Sequence, residues 1–350
     1  MSSLNDDSAL VEKNIRSSGR GRWIFWLRVA AGAAVVGYLM QHTQWKPVEA
    51  AIQGLAWQHW AAALGIFLCA QVASAWRWAE LSRPLGFHYS RLRFIQLYFE
   101  GMFFNLCLPS SIGGDVLKAY WLAPNTAGRM LGACTVLADR AAGLIGLGVI
   151  GATALAARTF SWSLVPAALV GVALLAAALL AVSLGLRLWK WLAGLLPANG
   201  RLAGLAAKLM PYHDRPEVMR RSIGWGLAVQ GLNVLMVAEI GHAIGLAIPL
   251  AVYCVAVPAV SLLTMLPLSI SGVGLREGGL AWMLASYGVS EELGVTLGLL
   301  WFLVAIAGGM IGGCIYLLNF QRPYETTPTD VRQSPGTEEK NPAEDHRRAA

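Results

Sequence analysis

The sequence predicts an all-α integral membrane protein: a polytopic bundle of about six spanning helices plus two re-entrant broken-helix hairpins, arranged as an inverted internal repeat. Three observations predict it. Only 13% of the 350 residues are charged and the mean hydropathy is +0.53, whereas a soluble domain carries roughly 25% charged residues. The apolar residues fall into blocks long enough to cross a bilayer, separated by short polar connections. Two further blocks are short, and both break at related Leu-Pro sequences rich in Ser and Gly. A water-soluble enzyme is thereby disfavoured. The +7 formal charge resides in the connections, where the bias of Lys and Arg to cytoplasmic loops accounts for it, so no nucleic-acid partner is expected.

Residues 1–22 form a polar cytoplasmic N-terminus with no cleavable signal, carrying Lys13, Arg16, Arg20 and Arg22. The transmembrane domain covers 23–318, with halves at 23–186 and 223–318 joined by an amphipathic segment at 187–222. Residues 319–350, rich in Pro, Glu, Asp, Thr and Arg, read as a disordered cytoplasmic tail. The spans begin with Trp23–Met40, in which Arg28 snorkels from near one end, and Trp57–Trp76. Arg77, Arg83, Arg91 and Arg93 then mark residues 77–93 as a cytoplasmic loop, as do the basic residues between Arg187 and Arg221. The connections at 41–56 and 158–161, with one basic residue each, belong outside.

Only one net crossing fits between the 77–93 and 158–161 loops, yet two apolar segments lie there. Met130–Ala157 is long enough to cross. Phe94–Leu108 is short and contains Glu100 and Asn105, so it enters from the cytoplasm, breaks at Pro109–Gly114 and returns around Val116–Thr126. Trp162–Leu186 completes the first half. In the second half Ile223–Leu246 crosses outward, and Leu250–Leu266 enters from outside, breaks at Pro267–Gly274 and returns from Leu275 to about Tyr287. Leu293–Leu318 crosses inward. The segment 187–222 interleaves Trp and Leu with Arg and Lys, the pattern of a helix lying on anionic lipid.

The two breaks repeat one another. LPSSIGGDVLK (108–118) and LPLSISGVGLR (266–276) align without a gap, pairing Pro109 with Pro267, Ser111 with Ser269, Gly114 with Gly272 and Lys118 with Arg276. Interrupted short segments at corresponding positions of two halves point to a transporter's binding site, although Pro and Gly can also merely kink a helix. Each break precedes a new helix start, where free N–H groups and the positive end of the dipole favour an anion. Candidate substrate-binding residues are therefore Ser110, Ser111, Gly113, Gly114 and Lys118 in the first break, and Ser269, Ser271, Gly272 and Arg276 in the second. The serines equally fit N-capping, and Asp115 equally fits an acid complementing the helix dipole.

Charges inside apolar blocks are costly and need partners. Glu100, Asp115, Asp139, Arg140, Glu239, His242 and Glu277 are candidates for intramembrane charge or proton roles. Asp139 and Arg140 are adjacent, so they point apart and each needs another partner. Glu100 with Arg140, and Glu277 with a basic residue of the first half, are expected pairs, whether as structural clamps or as substrate contacts. Gln230 and Asn233 share one face of their helix; Glu239 and His242 share another, fitting either a proton relay or helix–helix hydrogen bonding. The five cysteines lie in apolar blocks without metal-ligand spacing and read as packing residues; no cofactor or metal is expected. GVGLREGG lacks the GxGxxG spacing and any preceding strand, so no dinucleotide site is inferred.

NLCLPSSIGGDVLKAYWL (105–122), LADRAAGL (137–144) and LPLSISGVGLREGGLAWML (266–284) resemble the family of the lysylphosphatidylglycerol synthase transmembrane region, a group of flippase-like bacterial inner-membrane proteins. The resemblance covers about residues 20–320. It implies movement of lipids or lipid-linked molecules, with a membrane lipid or lipid-linked substrate as partner. Only about 30 polar residues follow Phe320 where synthases of that family carry a soluble catalytic domain, so the lysyltransferase activity is not carried over. The leading expectation is a lipid translocase. A membrane-embedded transferase using Glu100, Asp139 or Glu239 as general base, and a non-catalytic subunit of a lipid- or envelope-synthesis enzyme, are the alternatives.

Overall fold

The computed structural model describes residues 56–107, 113–123, 126–159, 209–212, 214–265 and 272–320, together with single positions at 49, 53, 54, 173 and 180. Among these there is no strand. The helices are α1 (Trp57–Ser82), α2 (Arg91–Cys107), α3 (Gly113–Leu122), α4 (Thr126–Thr159), α5 (Pro216–Ala243), α6 (Leu250–Met265), α7 (Leu275–Ala285) and α8 (Glu291–Phe320). Four stretches are long and apolar enough to cross a membrane: Trp57–Leu85, Gly128–Ala157, Pro216–Ala243 and Glu291–Asn319. The expected spans at Trp23–Met40 and Trp162–Leu186, and both termini, lie outside the described residues.

Local chemistry sets the helix ends. Ser82 Oγ donates to the Trp78 carbonyl at 2.7 Å as α1 finishes, Pro84 opens a single 3-10 turn, and Gly86 at φ +93° reverses the chain. Ser90 Oγ then accepts the Arg93 N–H at 3.2 Å, capping α2. Pro216 occupies the first turn of α5 with Glu217 beside it, so this helix starts within the segment expected to lie on the lipid surface. Arg77 is corrected in the same way. It is not a loop charge: α1 continues to Ser82 and buries Arg77 at 4% exposure.

The neighbours of each helix follow one exchange. α1 packs on α5; α3 packs on α4 as α7 does on α8; α2 lies against α8 as α6 lies against α4; and α4 meets α5 as α8 meets α1. Exchanging α1–α4 for α5–α8 therefore preserves every one of these pairings. The close crossings rest on residues without side chains. A Cβ on Gly146 would come within 2.6 Å of the Gly226 carbonyl carbon, and one on Gly298 within 2.7 Å of Glu277 Cα. The largest apolar core gathers Phe67, Met236, Tyr253, Leu280, Leu297 and Leu300 from α1 and α5–α8. A second, around Trp78, Phe94, Leu97 and Leu122, joins α1 to α2 and α3.

Candidate functional site

The first break begins where α2 ends at Cys107 and α3 starts at Gly113. Its arms touch at Gly114, where a Cβ would collide with the Gly101 carbonyl oxygen and lie 2.8 Å from the Asn105 side chain. Asn105 Oδ1 accepts the Gly114 N–H at 2.8 Å, so one free donor of the new helix is already satisfied. One turn on, the Lys118 stem crosses the bare face of Gly101. Its ammonium is 2.8 Å from Asp115 Oδ1 and 4.3 Å from the centroid of Tyr98. Arg140 Nε donates to Asp115 Oδ2 at 2.8 Å, and Nη2 contacts the same oxygen. Asp115 thus bridges two cations, which goes beyond the helix-dipole role.

Asp139 faces the other way, as adjacency to Arg140 requires, and its Oδ1 accepts from Arg77 Nε at 2.7 Å. Arg77 Nη1 has no hydrogen-bond partner and lies beside Gly143 and Gly226, where an added Cβ would meet it at 3.5 and 3.6 Å, ordinary contact distance. These groups border a pocket of about 210 Å³. α1 contributes Gln71, Ser74 and Arg77; α2 contributes Tyr98, Met102 and Asn105; α3 contributes Lys118; α4 contributes Asp139, Arg140 and the Gly143–Leu147 face; α5 contributes Val229, Gln230 and Asn233; and α6 contributes Met265. The three cations meet two carboxylates, Asp115 and Asp139, leaving one positive charge in excess. Arg140 is 42% exposed through its side chain, while the Lys118 and Asp115 side chains are each 7% exposed. Gln230 Nε2 donates to the Gly143 carbonyl at 3.4 Å and receives the Asn233 amide at 3.4 Å.

The family model described as the lysylphosphatidylglycerol synthase TM region matches residues 25–313, which includes every helix of this pocket. The chain belongs to that family. Searches of curated proteins and of solved structures return no match. As a multi-pass membrane protein of the lysylphosphatidylglycerol synthase TM family, the chain falls among proteins of lipid modification or transport.

In this family member the second break is built differently. Gly272 at φ +74° and Gly274 at φ +83° hold left-handed backbone before α7 begins, a conformation that suits glycine. Glu277 Oε2 accepts the Gly274 N–H at 2.6 Å, so Glu277 caps its own helix, and among the described residues it forms no ion pair with a base of the first half. The Arg276 guanidinium lies 5.2 Å from the ring centroids of both Trp301 and Phe302, and Arg276 is not among the residues bordering the pocket. Ser110, Ser111, Ser269 and Ser271 lie outside the described residues; Gly113 forms the first residue of α3.

The remaining intramembrane candidates sit apart from the pocket. Glu100 does not meet Arg140; it is fully buried between α2 and α8, where Asn319 Nδ2 donates to its Oε1 at 3.0 Å. Glu239 Oε1 lies 2.8 Å from His59 Nδ1, and the His242 ring stands edge-on to His59 at 6.1 Å. Sequence reasoning missed His59 and Arg77. The partners they take, Glu239 and Asp139, lie on other helices, and a sequence displays directly only the proximity within one helical turn. Cys69, Cys134, Cys254 and Cys314 are free, and no metal-binding group occurs among the described residues. Outside the spans, Tyr212 donates to the Leu81 carbonyl at 2.7 Å, and burial pushes its phenol pKa up.

Proposed function

We propose that this protein moves a phospholipid or lipid-linked anionic molecule across the bacterial cytoplasmic membrane. The headgroup occupies the pocket and the hydrocarbon tails stay in lipid. The observation that carries the reading is convergence: Asn105, just before the first Leu-Pro break, and Met265, immediately before the second, border one pocket with surplus positive charge. Short helices interrupted at corresponding places in two halves are how many secondary transporters build a midplane site. On this reading α2–α3 and α6–α7 are re-entrant hairpins entering from opposite faces, the halves are inverted repeats, and both termini are cytoplasmic. The pairwise exchange of helix neighbours supports it.

The pocket offers a phosphate two cations that already share an anionic ligand. Arg140, the more exposed of them, presents a planar fork suited to two oxygens of a phosphate, and Lys118 adds a point charge beside it. Tyr98, Asn105, Gln230 and Asn233 surround the rest of the headgroup with neutral polar groups. Arg276, the partner of Lys118 in the repeat, acts from outside this pocket. A transferase reading would need an unengaged carboxylate at the pocket, whereas Asp139 is held by Arg77.

The test is transbilayer movement of anionic headgroups in proteoliposomes. A charge-assisted hydrogen bond contributes about 1.5–3 kcal/mol, so Lys118→Ala combined with Arg140→Ala lowers the rate by at least about tenfold. If the folded double variant moves headgroups at the wild-type rate, the pocket is not the route. Product formation from a lipid-linked donor by the purified protein would favour the transferase. Co-purification with one stoichiometric synthesis enzyme, without lipid movement, would favour a subunit role.

A further inference from the structure

Two fully or nearly fully buried acids, Glu100 and Glu277, lie outside the pocket, and Glu277 caps its own helix. Glu100 is at 0% exposure, one oxygen takes the Asn319 amide, and Oε2 has no hydrogen-bond partner. The charges on the helices packed against α2 are engaged elsewhere or remote from it. Lys118 and Asp115 on α3 bind each other, Arg77 on α1 binds Asp139, and Glu291 and Glu292 lie at the far end of α8. Glu80 on α1 is a second acid and brings no positive charge, and His59 stands with Glu239 at the other end of α1. Arg93, two turns earlier on the same face of α2, is a cation whose charge reaches Glu100. An ionised carboxylate in such a place, with one neutral donor, is strongly disfavoured against its protonated form.

The internal repeat shows that packing does not ask for an acid here. In the register of the two breaks Glu100 corresponds to Pro258, and the equivalent contact, α6 on α4, sets Pro258 against Gly151 with apolar atoms alone. On the α2–α8 side, Gly312 lets α8 reach the Phe99 carbonyl and Gly313 accepts the Phe103 ring, so the seam closes over Glu100 from both sides.

We propose that Glu100 is a proton-binding site, and that its proton holds α2 against α8. The carboxylic acid is neutral and keeps the seam dry. Release breaks the O–H bond at Oε2, passes the proton to water entering between the helices, and leaves a carboxylate that is stable only when that water remains. Proton binding is thereby linked to contact between the first hairpin and the last helix of the second half. This inference concerns the seam and does not depend on which molecule enters the pocket.

The full-length protein in lipid nanodiscs tests it, by infrared detection of protonated carboxyl groups across a pH series, with hydrogen exchange of α2 and α8 alongside. Wild type holds a protonated carboxyl signal at neutral pH, loses it at high pH, and exchanges faster in both helices as it does. Glu100→Gln, a neutral isostere, lacks the signal and shows no pH-linked exchange. Asn319→Leu, which removes the amide and keeps the acid, retains the signal at neutral pH. The proposal is overturned if Glu100→Gln keeps the wild-type titration, if wild type shows no such signal, or if Asn319→Leu abolishes it. Unchanged exchange across the titration overturns the link to the seam.

Discussion

Gly101→Ala moves the pocket lysine without removing its charge. The added Cβ would lie 2.7, 2.9 and 3.0 Å from Cγ, Cδ and Cε of Lys118, whereas ordinary contact begins near 3.4 Å. The stem must therefore shift by roughly 0.7 Å, and it is a buried stem in a tightly packed place. Its ammonium is 2.8 Å from Asp115 Oδ1, so a shift of that size, transmitted to Nζ, stretches the contact to the edge of hydrogen-bonding distance. Misplacement of this order costs up to about 100-fold where geometry governs the step, and loss of one charge-assisted hydrogen bond costs about 1.5–3 kcal/mol. The assay is the initial rate of anionic headgroup movement in proteoliposomes, where Gly101→Ala is expected to fall by about tenfold or more. Gly65→Ala is the control: among the described residues nothing lies within 4 Å of its added methyl, so its rate should match wild type. A folded Gly101→Ala protein as fast as Gly65→Ala would refute the place given to Lys118.

Asp139→Ala leaves the Arg77 charge buried and should lower stability by about 3–5 kcal/mol, whereas Arg77→Met with Asp139→Leu should recover most of it in a thermal melt. Gly146→Leu drives α4 off α5 at a backbone contact and should abolish folding, read as loss of the monodisperse peak in detergent. Tyr212→Phe leaves the Leu81 carbonyl without its donor and should cost about 1–3 kcal/mol. Because burial raises the Tyr212 phenol in the folded chain, its contribution is complete below the ordinary tyrosine range near pH 10 and is lost as pH rises through the raised value; the gap between wild type and Tyr212→Phe should therefore narrow at high pH.

Helix existence was legible because length and apolarity announce it. The described parts of α2 and α6 reach Cys107 and Met265, each immediately before the Leu-Pro pair at which the sequence expects a break. The start of α5 was harder, since Arg220 and Arg221 look like a loop in a hydropathy window although Pro216 and Glu217 spell a helix opening. The same blindness put Arg77 in a connection. The expected pairs of Glu100 and Glu277 were not the pairs formed, because pairing depends on which faces of distant helices meet. Glu100 and Arg140 lie on α2 and α4, near one another in the chain, yet Asn319, at the far end of the last helix, is the residue that reaches Glu100. The repeat singled out Lys118, which borders the pocket. Arg276 was paired with it in sequence, but Trp301 and Phe302 draw it to a different environment.

All the ionic groups bordering the pocket come from α1, α3 and α4, while α6 faces them with the thioether of Met265 and α5 with uncharged side chains. The second half acts there as an insulating wall. With no ionic group on that side, the single positive charge left after Asp115 and Asp139 are counted is not opposed across the pocket, so its field reaches farther there than in bulk water. A single acidic replacement on that wall, such as Met265→Glu, would shunt the field at its source while leaving every native cation untouched.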